Sequence, residues 1–217
     1  MMSRYVELQI TSHFSFLRGA SSPEQLFSAA ALLGHKALGL ADWGSVAGVV
    51  RGWDAQKATG VRMIAGARVD LTDGKALLLY PTDRPAWSRL TRLLSVGKTR
   101  GGKGCCLLDW ADVVAHGEGQ MAILVPDQPD DTTMANLFEL KTVFGARAHM
   151  ALALRRRPDD IARLHRLDAM ARTATVRSVA TGDILYHSPD FRPLQDVMTA
   201  IREKTTIDCL GFKRERY

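Results

Sequence analysis

Two aspartates follow short apolar runs that are typical of buried strands. Asp42 directly follows the second predicted strand, and Asp183 follows the last one. Because the carboxyl ends of neighbouring parallel strands meet at one edge of a sheet, ligands gather there in α/β folds. His13 and His187 also lie just past predicted strands. Carboxylates and imidazoles in these places could bind a divalent metal or exchange protons, and the alternative is that each aspartate caps a helix or braces a loop.

Clustered basic side chains could bind phosphates without reading base sequence. The chain carries 29 Lys and Arg against 23 Asp and Glu, a net charge of +6. The clusters that we single out are Lys98, Arg100 and Lys103 in a glycine-rich segment, and Arg155, Arg156 and Arg157 after a predicted strand. They predict weak, sequence-independent binding to DNA, and the alternative is a solvated, charged rim.

The segment Gly97-Lys98-Thr99 looks like the end of a phosphate-binding loop. That loop needs a glycine where this chain has Arg92, and it follows a strand, whereas a predicted helix precedes it here. We therefore predict a flexible basic surface loop over 97–104 rather than a nucleotide site.

The elements that must position these groups alternate along the chain. We predict strands over 5–10, 37–41, 63–65, 69–71, 76–80, 121–125, 149–154 and 176–180, and helices over 45–59, 84–96, 109–116, 131–144, 158–172 and 192–203. A further helix begins at a capping box formed by Ser22 and Gln25, and Asp73-Gly74 predicts a hairpin. This alternation predicts a parallel α/β fold, either a barrel or an open sheet.

Composition excludes several classes of protein. With 217 residues, 46% of them hydrophobic and 24% charged, the chain fits one globular domain. Three cysteines form neither a disulfide framework nor a zinc spacing, which predicts a reducing, cytoplasmic setting. No apolar run approaches the roughly 20 residues of a membrane span, so we expect no membrane partner.

Six segments resemble the N-terminal PHP (polymerase and histidinol phosphatase) domain of bacterial C-family DNA polymerases. They are 12–21 (SHFSFLRGAS), 37–52 (ALGLADWGSVAGVVRG), 60–74, 77–104, 179–187 and 192–207. The resemblance is greatest to the error-prone second alpha subunit that acts in DNA repair, replication and translesion synthesis. It implies a distorted, TIM-like barrel of seven strands, with residues 1–217 forming one PHP domain excised from a longer polymerase. The parent would be a nucleotidyltransferase that uses magnesium in a palm outside this chain.

The resemblance also implies where the metal ligands of the family would lie. The family's ligands are replaced at Gln9, Thr11, Trp43, Arg68, Ala76 and Leu185, and only Asp42 and Asp183 match. Amide, hydroxyl, indole and alkyl groups are poor or impossible zinc ligands. We therefore predict no bound metal and no cofactor, with Arg68 forming an ion pair with Asp42 or Asp183 in the place of the ion.

Three functions follow as hypotheses. The first is a catalytically silent PHP domain that supports the polymerase by packing against its other domains, through an apolar surface around Leu210, Phe212 and Tyr217. The second is a residual metal-dependent phosphoesterase or 3′–5′ exonuclease that uses Asp42, Asp183, His13 and His187. The third is a metal-free DNA-binding module that acts through the basic clusters. The sequence leaves open whether this chain catalyses any reaction.

Overall fold

The computed structural model describes residues 5–155 and 158–211. Its strands are β1 (Glu7–Ile10), β2 (Ala37–Trp43), β3 (Arg62–Asp70), β4 (Ala76–Pro81), β5 (Gln120–Leu124), β6 (Ala148–Ala153) and β7 (Arg177–Thr181). Its helices are α1 (Pro23–Leu32), α2 (Val49–Thr59), α3 (Arg84–Gly101), α4 (Trp110–Ala115), α5 (Asp131–Phe144), α6 (Asp160–Thr173) and α7 (Arg192–Glu203). This alternation confirms the predicted α/β class.

The seven strands form one sheet whose order follows the chain, from β1 to β7. β1 pairs with β2 in parallel, and β5, β6 and β7 are also parallel to one another. β4 is antiparallel to β3, which confirms the predicted hairpin, and it is also antiparallel to β5, so the prediction of a parallel sheet is wrong at β4. The reason is the predicted hairpin: Gly74 adopts a positive φ of 90° in the short turn between β3 and β4. A parallel connection needs a crossover of a dozen or more residues.

The described residues pack as two compact units. The first comprises 5–65, residue 155 and 182–211, and its core includes Ile10, Phe27, Leu38 and Leu40. The second comprises 66–154 and 158–181, and its buried side chains include Leu78, Leu90 and Leu137. Among the described residues, no helix combines the length and the apolar composition that crossing a bilayer requires.

β3 is one continuous strand, although we predicted two short ones separated near Gly66. A Cβ atom on Gly66 would lie 2.4 Å from the Tyr80 ring, so the glycine lets the ring pack directly against the strand backbone. From the sequence alone, Gly66 looks like a strand break, because Tyr80, the residue that packs on it, lies in a different strand. Arg68 consequently lies within β3, where its Nε donates to Asp70 at 3.0 Å.

α3 continues to Gly101, so the prediction of a flexible loop beginning at Gly97 is wrong for the first five residues of that segment. A Cβ atom on Gly97 would lie 2.6 Å from Cys106 Sγ and 2.8 Å from Leu108 Cγ. The segment after the helix packs onto this bare position, and the amide of Leu107 donates to the Gly97 carbonyl at 2.9 Å. The glycine therefore serves a close contact in the helix.

Local signals at the helix starts are confirmed. The Ser22 hydroxyl accepts from the Gln25 amide at 3.2 Å, and the Gln25 side chain accepts from the Ser22 amide at 2.9 Å. Asp109 caps α4 in the same way. α2 begins at Val49 rather than at Ser45, after a turn in which Gly44 has a positive φ of 55°.

Candidate functional site

Asp42 lies near the carboxyl end of β2 with only 1% of its surface exposed. Its Oδ1 accepts hydrogen bonds from the Ser12 amide at 2.8 Å and from the Ser15 hydroxyl at 2.7 Å. Its Oδ2 accepts from the Ser12 hydroxyl at 2.9 Å. Burial raises the pKa of Asp42, while these hydrogen bonds act in the opposite direction. The loop after β1 thus supplies protein donors to both carboxylate oxygens.

Asp183 follows β7 after Gly182 and adopts a positive φ of 50°. Its Oδ1 accepts a hydrogen bond from Nε2 of Gln9, a buried side chain on β1, at 2.8 Å. Gln9 stands where the resemblance places a metal-binding histidine. Its side-chain amide instead connects β1 to the segment that follows β7.

β1 lies between the two aspartates. It pairs with β2 on one side, and Ile10 pairs with Ile184 on the other. The two segments that carry Asp42 and Asp183 are therefore two strand spacings apart, roughly 10 Å. At this distance the two carboxylates accept hydrogen bonds from different donors, Ser12 and Ser15 for Asp42 and Gln9 for Asp183.

Glu7 is a buried acid that the sequence analysis did not identify. Its carboxylate accepts from the Gln9 amide at 2.7 Å and from the Tyr5 hydroxyl at 2.5 Å, and the amide of Gly182 also donates to it. Burial raises the pKa of Glu7 above its ordinary value of 4.5. An acid within the predicted strand 5–10 was the signal available in the sequence.

The two candidate histidines have separate surroundings. Nδ1 of His187 lies 2.8 Å from the Ser21 hydroxyl, and its ring contacts Phe191 edge-on at 4.4 Å between centroids. His13 is exposed and stacks on Phe14 at 4.7 Å. His13 lies near enough to Asp42 for its charge to lower the pKa of that carboxyl.

The remaining positions of the expected ligand set are occupied as follows. Thr11 and Leu185 are buried, and the Trp43 ring carries the Arg18 guanidinium 3.5 Å from its centroid. Ala76 begins β4 in the other compact unit, which also contains Arg68. The ion pair of Arg68 with Asp42 or Asp183 stays a prediction. Within residues 5–155 and 158–211, no three His, Cys, Asp or Glu side chains are grouped so that they could hold a metal ion.

The basic cluster at the end of α3 is partly neutralised. Arg100 donates to both carboxylate oxygens of Asp112, at 2.6 and 3.0 Å, and these hydrogen bonds lower the pKa of Asp112 to about 2. Lys98 and Lys103 are exposed. Arg155 is half-buried, whereas Arg156 and Arg157 lie outside the described residues. DNA binding by these groups stays a prediction.

Comparison with known proteins identifies the family. A family model described as the PHP domain matches residues 7–174, more than half of the chain. The chain belongs to the PHP domain family. The match includes β1, which carries Gln9, and β2, which carries Asp42.

This PHP domain is similar to error-prone DNA polymerases of several bacteria. It is 54% identical over 213 residues to error-prone DNA polymerase 3 of Agrobacterium fabrum, and the match covers 98% of this chain and 20% of that protein. It is 51% identical over 214 residues to error-prone DNA polymerase 2 of Rhizobium meliloti, with 99% and 20% coverage. The chain thus spans about a fifth of the length of these relatives.

Solved structures show the same fold at low sequence identity. A candidate metal-dependent phosphoesterase from Bifidobacterium adolescentis aligns with a TM-score of 0.63 and 13% identity, over 85% of this chain and 89% of that one. An amidohydrolase from Chromobacterium violaceum, with bound sulfate and no metal, aligns with a TM-score of 0.61 and 16% identity, over 83% and 87%. These likenesses confirm the predicted α/β fold of the TIM-like PHP type.

Proposed function

We propose that this chain is the PHP domain of an error-prone DNA polymerase, that it is catalytically silent, and that it supports the fold of the polymerase. Relatives about five times its length carry a matching segment over nearly all of this chain. DNA synthesis, and the magnesium that it requires, would then belong to the other parts of the parent polymerase.

One observation carries the proposed silence: the surviving acids are occupied by hydrogen bonds from the protein itself. Gln9 donates to Asp183, and the hydroxyls of Ser12 and Ser15 donate to Asp42. A divalent ion would have to displace these donors to reach either oxygen of Asp42 or Oδ1 of Asp183.

The rest of the donor set does not fit a centre of two or three metal ions. Trp43 and Leu185 offer no ligand atom for zinc, and the amide and hydroxyl oxygens of Gln9 and Thr11 are weak ligands beside imidazole. Phosphoester hydrolysis by such a centre depends on a metal-activated water, so on this proposal the domain does not hydrolyse phosphoesters.

The supporting role has its own structural correlate. Glu7 binds the amides of Gln9 and Gly182, and Gln9 binds Asp183. These contacts connect β1 to the segment after β7, and Gln9 and Asp183 stand at two of the positions where the resemblance implies metal ligands. We infer that these positions now stabilise the fold through hydrogen bonds instead of binding a metal ion.

Metal analysis of the purified protein tests this proposal directly. After dialysis against metal-free buffer without chelator, we expect far less than one equivalent of zinc, manganese or iron by mass spectrometry. Asp42→Asn and Asp183→Asn are the matched variants, and they should not change the value. Two or three equivalents in the unaltered protein, lost in these variants, would contradict the proposal and favour the phosphoesterase hypothesis.

The parent polymerase provides the functional test. Asn at position 183 keeps an oxygen that can accept from Gln9, so Asp183→Asn should leave both DNA synthesis and the melting temperature nearly unchanged. Primer extension and 3′–5′ digestion of a mispaired end are the measurements. Loss of synthesis with an intact fold contradicts the proposal. Digestion by the unaltered polymerase that Asp183→Asn abolishes also contradicts it and assigns Asp183 to a residual esterase site.

A further inference from the structure

α7 turns its apolar residues outward. Leu194, Val197 and Ile201 recur at a spacing of three and four residues and are 45%, 39% and 57% exposed. Residues with this spacing lie on one face of a helix. Ile207, in the turn that follows, is also exposed. We call these four side chains the α7 face.

The opposite side of α7 is buried and, apart from Ala200, polar. Gln195, Asp196 and Thr199 are nearly inaccessible, and Asp196 accepts from Nε of Arg192 at 3.0 Å. Neither amide atom of Gln195 has a hydrogen-bond partner among the described residues. An isolated domain would gain stability by the reverse orientation, with the leucine, valine and isoleucine inward.

This arrangement replaces the apolar surface that the sequence analysis placed around Leu210. Leu210 is buried with 2% of its surface exposed, so that prediction is wrong for this residue, and Phe212 and Tyr217 lie outside the described residues. Leu210 follows a short helical turn, Ile207–Cys209, whose first side chain belongs to the α7 face. The exposed apolar surface therefore precedes the predicted one along the chain.

We propose that the α7 face docks against an apolar surface of the remaining part of the same polymerase chain, an inference that rests on the proposed function. About four fifths of each compared relative lies outside the segment that matches this chain. A tethered partner is present at an effective concentration near millimolar, so a small apolar contact is enough to hold it. A second copy of this chain fits less well, because four partly exposed side chains cover far less than the roughly 800 Å² per partner of a stable dimer.

Cysteine labelling of the full-length polymerase tests the docking. Ile201→Cys places a thiol on the α7 face, and Val50→Cys places one on α2, where Val50 is 71% exposed. Both side chains are exposed in the domain, so a maleimide should label the two thiols at equal rates if nothing covers the α7 face. We expect the thiol at position 201 to react at least about tenfold more slowly than the thiol at position 50, because a docked face opens only transiently. Peptide mass spectrometry separates these thiols from Cys209, which is also exposed.

Three results would overturn or support the inference. Slow labelling at position 201 that is independent of protein concentration supports docking within the chain, and Val197→Cys should show the same protection. Equal rates at positions 201 and 50 overturn it. Protection that disappears on dilution overturns it in favour of a second copy. The metal content tests the silent site separately, so either proposal can fail without the other.

Discussion

At the scale of single residues, the site depends on carboxylates that are buried beside hydroxyl and amide donors. Asp42 receives its hydrogen bonds from the loop that follows β1, and the Ser15 hydroxyl also accepts from the Trp43 amide at 2.9 Å. One hydroxyl therefore joins two neighbouring residues of β2 to the loop. A Cβ atom on Gly48 would lie 2.4 Å from Asp42 Oδ2, so the residue that precedes α2 also packs closely on this carboxylate.

Ser15→Ala should destabilise the domain. It removes a donor from a carboxylate that has almost no access to water and leaves the Trp43 amide without this acceptor. The expected loss in the free energy of unfolding is about 1–3 kcal/mol, measured by urea denaturation. Ser88→Ala is the control, because Ser88 is exposed on α3 and its change should stay within about 0.5 kcal/mol. Equal effects of the two substitutions would show that Ser15 does not support Asp42.

Glu7→Gln should change how stability depends on pH. Because burial raises the pKa of Glu7 in the folded state, its contribution is complete below the ordinary value of 4.5 and is lost as the pH rises towards the folded pKa. Glutamine does not ionise, so the variant should gain stability relative to the unaltered protein as the pH rises above about 4.5. Urea denaturation across this range measures the difference. Glu118→Gln is the control, at a side chain that is 77% exposed, and should give a much smaller change. If the free energies of unfolding of Glu7→Gln and the unaltered protein run parallel across this pH range, the argument is rejected.

At the scale of elements, α3 contains a glycine, Gly97, whose close packing outweighs its low helix propensity. Alanine is about 1 kcal/mol better than glycine inside a helix when nothing else changes. Gly97→Ala should nevertheless destabilise the domain by about 1–3 kcal/mol, since the new Cβ would meet Cys106 and Leu108 at less than 3 Å. Ser95→Ala on the exposed side of α3 is the control and should change little. A rise in melting temperature for Gly97→Ala would show that the 105–108 segment does not pack on the helix in solution.

At the scale of the whole molecule, the domain should matter to its parent as a folding unit. Deleting residues 1–217 from the polymerase should lower its yield of folded protein and its melting temperature, because it uncovers the apolar surface on which the α7 face docks. Expression yield and thermal unfolding are the measurements. The control is the full-length Asp183→Asn polymerase, which keeps the surface and should behave as the unaltered protein does. A deleted polymerase that is as stable as the intact one would contradict a supporting role.

The sequence alone determined the features whose causes lie within a few residues. The capping box of α1 and the limits of α5 and α7 were all predicted, because cap and helix residues are neighbours in the chain. The apolar runs also predicted Asp42 and Asp183 just past their strands; Asp42 is instead the penultimate residue of β2, and Asp183 follows β7 after Gly182. The residue types at Gln9, Trp43 and Leu185 were enough to question a metal centre.

Only the tertiary structure decided the features whose causes are distant in sequence. Gly66 and Gly97 look like breaks until the Tyr80 ring and the Leu108 side chain are seen against them. Asp42 and Ser15 are 27 residues apart, and Gln9 and Asp183 are 174 residues apart, so no local pattern joins them. The outward direction of the α7 face likewise has no local signal. Helical periodicity reveals that a helix has an apolar side, whereas the direction in which this side points depends on the partner that covers it.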